Sequence, residues 1–262
     1  MAISTPRWIP REGVEPLRMA VINRGESAVR FMRTARVWSR RHDRPIELIA
    51  FYTEPDARAP FVQMADRAIN LGEPFYVDAQ GVRKSSYLDV EGLVKRCVEH
   101  GVDTVWPGWG FLGESPELSE ACKKAGITFI GPSADVMRLL GDKVRSKSFA
   151  EEHDVPVSPW SGRAIDDPEE ALVLAERIGF PLILKAAAGG GGRGIRLVRR
   201  ADEIANAFKT ATAEALAAFG DGAVFIEKFV EAARHVEVQI LADQHGNVWS
   251  LGTRDCSVQR RH

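Results

Sequence analysis

The stretch Ile183-Leu184-Lys185-Ala186-Ala187-Ala188-Gly189-Gly190-Gly191-Gly192-Arg193-Gly194 decides how the second half of this chain folds. An apolar run ending in a lysine leads into four consecutive glycines, and a second apolar run follows. Serial glycines forfeit backbone entropy, so they are typical of places where backbone N–H groups must close on a ligand. Phosphate is the usual ligand, because several N–H dipoles can converge on its oxygens. A flexible surface linker is the alternative, but apolar strands on both sides fit it poorly.

The residues around this loop exclude two common kinds of phosphate-binding loop. No Gly-Lys-Ser or Gly-Lys-Thr follows it, so it is not a Walker A loop. The next predicted element is a strand, whereas a dinucleotide-binding fingerprint requires a helix there. A glycine loop between two antiparallel strands, covering a nucleotide like a flap, is the ATP-grasp arrangement.

Upstream of the loop, apolar strands alternate with helices. We predict strands at 19–22, 46–52, 104–106 and 127–130, and helices at 26–40, 89–100 and 116–125. Strands separated by helices of this length build a parallel sheet with helices on both faces. Ligands then gather at the carboxyl ends of the strands, where Asn23-Arg24-Gly25-Glu26 and the segment 106–114 fall.

The predicted fold class is therefore α/β. An N-terminal parallel-sheet domain, Rossmann-like and of the pre-ATP-grasp type, precedes an incomplete ATP-grasp domain made of the B lobe and the start of the C lobe. A boundary is placed at 155–159, because each proline there pushes its predecessor into an extended conformation. The predicted parts are a lead-in at 1–17, the N-terminal domain at 18–133, linker helices at 134–157, a small lobe with the glycine flap at 158–229, and the start of a large lobe at 230–262.

Composition excludes several classes of protein. The formal net charge of −1 argues against nucleic-acid binding, which usually requires a basic excess. No apolar run approaches the ~18–20 residues that span a bilayer, so no membrane association is expected. Residues 1–17 contain no apolar core of a secretory signal. The spacing of Cys97, Cys122 and Cys256 matches no zinc or disulfide pattern, so we expect a reducing cytoplasm.

Two further segments place charge near the predicted site. Gly141-Asp142-Lys143 offers a lysine at a helix start; alone, a solvated side chain would be the better interpretation, but ATP-grasp enzymes use two lysines to hold phosphates. Glu227 and Lys228 interrupt an apolar strand. Charges inside a strand are rare unless paired, and an edge strand whose charges reach water is an equally good interpretation.

Two C-terminal segments are rich in polar side chains. His235, Glu237 and Gln239 alternate with valines and should share one face of a strand. The run 254–262 is dense in hydrogen-bond donors, including arginines suited to anions. Taken alone, a solvated strand face and a basic surface loop are the simpler interpretations of these two segments.

Together, these motifs resemble those of the biotin carboxylases of acyl-CoA and pyruvate carboxylases. Those enzymes carry Asn-Arg-Gly-Glu, Pro-Gly-aromatic-Gly-Phe-Leu, Gly-Asp-Lys, Lys-Ala before a Gly-rich loop, Glu-Lys, Arg-His-Val-Glu and Arg-Asp-Cys-Ser-x-Gln-Arg-Arg-His. The chain has every one in the same order, over residues 18–262. Several motifs are ordinary alone, but the ordered set is highly specific.

The resemblance implies roles for individual residues. Lys143 and Lys185 would hold the ATP phosphates, and Gly190, Gly191 and Gly192 would close the flap. Adenine would meet Glu227, Lys228 and Val230, largely through their backbone. His235, Gln259 and His262 would complete the nucleotide pocket, and Trp109 would lie near biotin.

The resemblance also implies a reaction. ATP with Mg²⁺ (or Mn²⁺) would activate bicarbonate as carboxyphosphate, and biotin on a carrier would then be carboxylated. The partners would be biotin carrier and carboxyltransferase domains or subunits, in a homodimer or larger oligomer. The family's metal-binding and catalytic residues are expected downstream of His262. We therefore expect no catalytic or metal-binding residue within the chain, and no biotin carboxylation by the chain alone.

Two departures refine the resemblance. Trp106-Pro107-Gly108-Trp109 stands where many bacterial members have His-Pro-Gly-Tyr, and Thr253 replaces the glutamate before Arg-Asp-Cys-Ser. Both changes favour the large single-chain acyl-CoA carboxylases of fatty acid metabolism. The alternatives are another ATP-grasp ligase, such as a carbamoyl-phosphate synthetase half, or a non-catalytic module that binds nucleotide or assembles a larger carboxylase.

Overall fold

The computed structural model describes residues 15–78, 80–187 and 194–258, and the chain divides into two units, Met1–Leu139 and Leu140–His262. The predicted lead-in at 1–17 lies almost wholly outside the described residues. The elements of the first unit are β1 (Leu17–Val21), α1 (Gly25–Arg41), β2 (Ile46–Tyr52), α2 (Pro60–Met64), β3 (Arg67–Asn70), β4 (Phe75–Val77), β5 (Arg83–Ser85), α3 (Val90–Glu99), β6 (Thr104–Trp106), α4 (Pro116–Lys124), β7 (Thr128–Phe129) and α5 (Ala134–Gly141), the last of which runs just past the division.

A parallel sheet in the order β3-β2-β1-β6-β7 organises the first unit. Side chains alternate across it, so β1 buries Met19 and Val21 on one face and Ala20 on the other. Helix α1 covers the first face with Ala28, Met32 and Ala35. Helices α3 and α4 cover the second face with an apolar set that comprises Leu93, Cys97, Leu118 and Cys122. The predicted parallel sheet with helices on both faces is confirmed.

The second unit starts with the helix α6 (Lys143–Glu152). Its remaining elements are α7 (Pro168–Ile178), β8 (Leu182–Ala186), β9 (Ile195–Val198), α8 (Ile204–Phe219), β10 (Val224–Lys228), β11 (Val236–Ala242) and β12 (Val248–Asp255). An antiparallel sheet in the order β10-β8-β9 forms its centre. The predicted antiparallel strands on the two sides of the glycine loop are thus confirmed.

The two faces of the second sheet are used differently. Leu182 and Leu184 of β8, with Val224 and Ile226 of β10, pack against α7 and α8. The alternate residues of the same strands therefore lie on the opposite face. There Phe225 packs with Trp160 and Val144, the latter on α6. Helix α6 is thus part of this unit, which is why the division falls at residue 139 rather than at the predicted boundary of 155–159.

Strands β11 and β12 form a separate two-stranded antiparallel hairpin. Its turn is held by Asp243, whose side chain accepts hydrogen bonds from the backbone N–H groups of His245 (2.8 Å) and Asn247 (3.0 Å). Most residues of both strands are exposed. Strand β12 extends to Asp255, because its pairing with β11 continues to that residue.

Candidate functional site: a lysine cluster around Glu227

Helix α6 begins with a side-chain cap that fixes its first turn. The Asp142 carboxylate accepts hydrogen bonds from the backbone N–H groups of Val144 and Arg145, both at 3.0 Å. Asp142 thereby satisfies two of the donors that a helix start leaves free. Lys143 occupies the first helical position, where its charge opposes the helix dipole. A lysine held at this end of a helix is better suited to an anion than to the stability of the helix.

Lys185 and Glu227 face each other across the sheet. In the register of β8 and β10, Lys185 lies opposite Phe225, and Glu227 lies two residues further on, on the same face. The Lys185 ammonium donates a hydrogen bond to Oε1 of Glu227. This pair lies at the end of the strand that leads into residues 188–193, which are outside the described residues.

Lys147 completes the group from α6. Its Nζ lies 3.0 Å from Oε2 of Glu227, so the two carboxylate oxygens each have a different lysine partner. Lys147 also donates to Oγ of Ser158 at 3.2 Å. Its Nζ lies 5.7 Å from the centroid of the buried Trp160 ring, within cation–π range. We call Lys143, Lys147 and Lys185, together with Glu227, the lysine cluster.

Lys143 lies on the same face of α6, one turn before Lys147. Its Nζ donates to the carbonyl oxygen of Ala186 at 3.3 Å. Burial lowers the pKa of Lys143, and the neighbouring charge of Lys185 lowers it further, although Glu227 offsets part of the effect. Since the cluster contains three ammonium groups and one carboxylate, these side chains carry an excess of positive charge that an anion would neutralise.

The charge state of Glu227 follows from its neighbours. Burial acts to raise its pKa, but hydrogen bonds and charge from Lys185, with a smaller contribution from Lys147, outweigh burial. The pKa of Glu227 therefore lies below its ordinary value, and the carboxylate is ionised at neutral pH. Its side chain is only 13% exposed, so the two ion pairs are screened by solvent much less than surface pairs are.

Two residues assigned to adenine by the family resemblance lie next to Glu227. The Lys228 ammonium donates to the carbonyl oxygens of Gly179 (3.1 Å) and Phe180 (2.7 Å), at the end of α7. Its backbone N–H donates to Pro159 O at 2.8 Å. The side chain and the N–H of Lys228 are thus both used within the fold. Val230 is 59% exposed.

His235 belongs to the hairpin rather than to the lysine cluster. Its backbone N–H donates to Oγ of Ser257 at 2.9 Å, and its Nε2 lies 3.9 Å from Glu237. Arg254 contacts both Glu237 (3.1 Å) and Gln239 (3.3 Å), so the predicted polar face of β11 is confirmed. Gly190, Gly191, Gly192, Gln259 and His262 lie outside the described residues.

In the first unit, the motifs at the ends of β1 and β6 contact one another. The side-chain amide of Asn23 donates to the carbonyl oxygens of Pro107 (2.7 Å) and Trp109 (3.0 Å), which ties the end of β1 to the loop after β6. Arg24 donates to both oxygens of Asp56, at 2.7 and 2.5 Å. The hydrogen bonds of Arg24 lower the pKa of Asp56, despite burial.

Trp109 lies on that loop, and its side chain is exposed. Its ring meets the Trp106 ring edge-on at 6.3 Å, and Trp106 stacks on Phe31 of α1 at 4.0 Å with an interplanar angle of 10°. Gly108 between the two tryptophans has a φ of +68°. A Cβ there would lie 2.7 Å from the Asn23 amide nitrogen and 2.9 Å from Oγ of Ser27. Glycine is therefore required for Asn23 to approach the loop.

The described residues contain no group of three or more His, Cys, Asp or Glu side chains that could hold a metal ion. Both carboxylate oxygens of Glu227 are engaged by lysines. Among the helices described, none is both long and apolar enough to cross a membrane.

Two family models together match almost the whole chain. Residues 16–137 match the family model described as the biotin carboxylase N-terminal domain. Residues 142–262 match the model described as the ATP-binding domain of the carbamoyl-phosphate synthase L chain. The chain belongs to the biotin carboxylase family. The paired matches place the lysine cluster within an ATP-binding domain.

Curated relatives agree with this assignment. A pyruvate carboxylase subunit of Methanothermobacter thermautotrophicus is 41% identical over 94% of this chain and 47% of its own length. Biotin carboxylase 1 of Bacillus subtilis is 43% identical over 93% of this chain and 51% of its own length. The chain thus spans about half the length of these two relatives.

A solved structure shows the same fold. The biotin carboxylase domain dimer of the Hydrogenobacter thermophilus 2-oxoglutarate carboxylase, in complex with MgADP, ADP and bicarbonate, matches with a TM-score of 0.81. It is 41% identical, over 94% of this chain and 51% of that chain. Several of the relatives are pyruvate carboxylases, so the comparisons do not support the expected leaning towards acyl-CoA carboxylases and fatty acid metabolism.

Sequence reasoning missed Lys147. A lysine inside a helix is usually solvated, so nothing in its identity marks it out. Its spacing of four residues from Lys143 was the available signal, since residues at i and i+4 share one face of a helix. The aromatic stack of Phe31 on Trp106 was also not predicted.

Proposed function

We propose that this chain supplies the nucleotide-binding part of an enzyme that uses ATP and bicarbonate to carboxylate biotin. The lysine cluster is the observation that carries this proposal. Three half-buried ammonium groups lie near the end of β8, the strand that leads into the glycine-rich segment, and Glu227 neutralises only part of their charge. A polyphosphate is an anion of the charge and size that such a cluster would bind. Phosphoryl transfer depends mainly on positioning and on electrostatic stabilisation, which is what these side chains offer.

The proposed roles follow the family resemblance. Lys143 and Lys185 bind phosphate oxygens, and Gly190, Gly191 and Gly192 cover them. Glu227, Lys228 and Val230 meet adenine largely through their backbone, although the Lys228 N–H already donates to Pro159 O. His235, Gln259 and His262 complete the pocket, and Trp109 contributes an exposed ring for biotin.

The remaining components are also proposals. Mg²⁺ or Mn²⁺ would accompany ATP and neutralise its phosphates, with ligands other than the described side chains. A biotin carrier and a carboxyltransferase, as domains or subunits of a dimer or larger oligomer, would complete the enzyme in the cytoplasm. A 2-oxo acid is the acceptor favoured by the names of the relatives, and an acyl-CoA is the acceptor favoured by Trp106, Trp109 and Thr253.

Bicarbonate-dependent ATP hydrolysis, with and without free biotin, tests the proposal. We expect the full-length product of the gene to hydrolyse ATP in this assay, and Lys185→Ala to lower the rate by about 100-fold, because the phosphates lose a positioned charge. Lys209→Ala is the matched control, since Lys209 is an exposed lysine on α8. We expect the 262-residue chain alone to show no biotin-stimulated hydrolysis.

Each outcome has a defined meaning. Hydrolysis that is lost only with Lys185→Ala supports an ATP-dependent biotin carboxylase. Comparable hydrolysis by the 262-residue chain would show that residues 1–262 contain everything the reaction needs. No hydrolysis by the full-length protein, with or without biotin, would instead favour a non-catalytic module.

A further inference from the structure

Lys147 has no role in the site as the family resemblance assigns it, although it makes one of the two ion pairs to Glu227. It lies 3.0 Å from Oε2, while Lys185 holds Oε1. The Lys147 side chain is only 17% exposed, and it is anchored by Ser158 as well. A lysine that is mostly shielded from solvent and anchored in this way needs a reason beyond solubility.

We propose that Lys147 is a positioning residue of the nucleotide site, which holds Glu227 in place when Lys185 leaves the carboxylate to bind a phosphate group. This inference rests on the proposed function, because it requires a phosphate ligand for Lys185.

The energetic reason lies in the shared carboxylate. If Lys185 were the partner of both oxygens of Glu227, its departure would leave a buried carboxylate without an ion pair, which is strongly unfavourable. Lys185 would then remain with Glu227 and would bind phosphate weakly. With Lys147 on the second oxygen, Glu227 keeps one ion pair in either position of Lys185. Lys147 thus lowers the free-energy cost of transferring Lys185 to the ligand.

The surroundings of Lys147 explain why it stays while Lys185 moves. Its Nζ donates to Ser158 and lies over the Trp160 ring. Trp160 is fixed in turn, because its indole N–H donates to Glu151 at 2.8 Å and its ring packs edge-on against Phe225 at 6.1 Å. By contrast, Lys185 is the more exposed of the two at 28%, and it lies near the end of β8, which leads into the glycine-rich segment.

ATP affinity, measured by isothermal titration calorimetry on the full-length protein, tests the proposal in two steps. We expect Lys147→Met to weaken ATP binding about tenfold, the effect of losing one hydrogen bond to a charged group. Lys147→Arg keeps the charge and should restore affinity to within about threefold. Lys147→Gln serves as the uncharged variant if Lys147→Met does not fold.

The second step is a double-mutant cycle with Glu227→Gln. Since Lys147 acts through Glu227, Lys147→Met should change ATP affinity by less than about twofold once the carboxylate is gone. An equal tenfold loss in that background would mean that Lys147 binds the nucleotide directly, and it would overturn the proposal. Unchanged affinity in Lys147→Met alone would overturn it too. Failure of the wild-type protein to bind ATP would overturn both this inference and the proposed function.

Discussion

Gly108 illustrates how much a single residue can determine in the first unit. Its backbone lies in the left-handed region, and an added Cβ would come within 3 Å of Asn23, Trp106 and Ser27. Asn23 in turn holds the carbonyl oxygens of Pro107 and Trp109. The loop that carries the Trp109 ring can therefore bind Asn23 in this way only because residue 108 has no Cβ atom.

We predict that Gly108→Ala lowers the free energy of unfolding by about 3 kcal/mol, which combines left-handed backbone strain with steric overlap. Gly110→Ala is the matched control, because Gly110 has a similar φ of +71° but no atom within 4 Å of the new Cβ. That variant should lose only about 1 kcal/mol. Urea unfolding of the two variants measures the difference, and equal losses would show that the contact with Asn23 contributes nothing.

Single functional residues could be predicted where the sequence immediately around them is unusual. The glycine loop pointed to Lys185, and charges inside an apolar strand pointed to Glu227. Which partner each charged group takes depends on the register of β8 and β10 and on the packing of α6. Neither the strand register nor the packing of α6 can be read from the sequence. The pairing of Glu227 with two lysines was therefore found only in the structure.

At the scale of elements, α6 connects stability to the site, because its cap residue Asp142 precedes both Lys143 and Lys147. We predict that Asp142→Ala costs about 1 kcal/mol of stability and also weakens ATP binding, since the first turn of α6 frays and Lys143 loses its fixed position. Thermal unfolding and calorimetric titration of ATP would measure the two effects.

The variant Asp167→Ala is the control that separates the loss of stability from the loss of ATP affinity. Asp167 caps α7 in the same manner, by accepting a hydrogen bond from the Glu169 N–H at 3.1 Å. However, α7 packs on the sheet face opposite to the lysine cluster. This variant should lose similar stability and bind ATP normally. If both variants lost affinity equally, general loosening of the unit would explain the result and the specific role of α6 would be refuted.

Element prediction succeeded where periodicity was long. Strand β2 was predicted with its observed bounds, and helix α1 was predicted to within one residue at each end. Three short strands, β3, β4 and β5, were missed. Each has only three or four residues, and Ile69 is the only buried side chain among them. Such strands exist because a neighbouring strand offers hydrogen bonds, and an apolar pattern does not reveal that.

At the scale of the whole molecule, the reactivity of the cysteine thiols shows whether the core of the first unit is folded. Cys97 and Cys122 both lie in its core, where burial raises the pKa of Cys97 to about 12 and that of Cys122 to about 11. Because both pKa values are raised, these thiols remain protonated and unreactive at pH 8. Cys256, on the second unit, is partly exposed.

We predict that one thiol per chain reacts rapidly with a disulfide reagent at pH 8 in the native state, and that all three react in guanidinium. Adding denaturant gradually should release Cys97 and Cys122 together, at the midpoint for unfolding of the first unit. Rapid reaction of two or three thiols in the native protein would show that this core opens readily, contrary to its packing.

The stacked rings of Phe31 and Trp106 also limit which substitutions the two positions can accept. One residue belongs to α1 and the other to β6, yet their planes are nearly parallel at 4.0 Å, so each shapes the space that its partner fills. Replacing Trp106 by a smaller ring such as histidine would leave Phe31 without its contact, and replacing Phe31 first would uncover the indole. Across homologues, positions 31 and 106 should therefore covary, with aromatic residues gained or lost at both positions together.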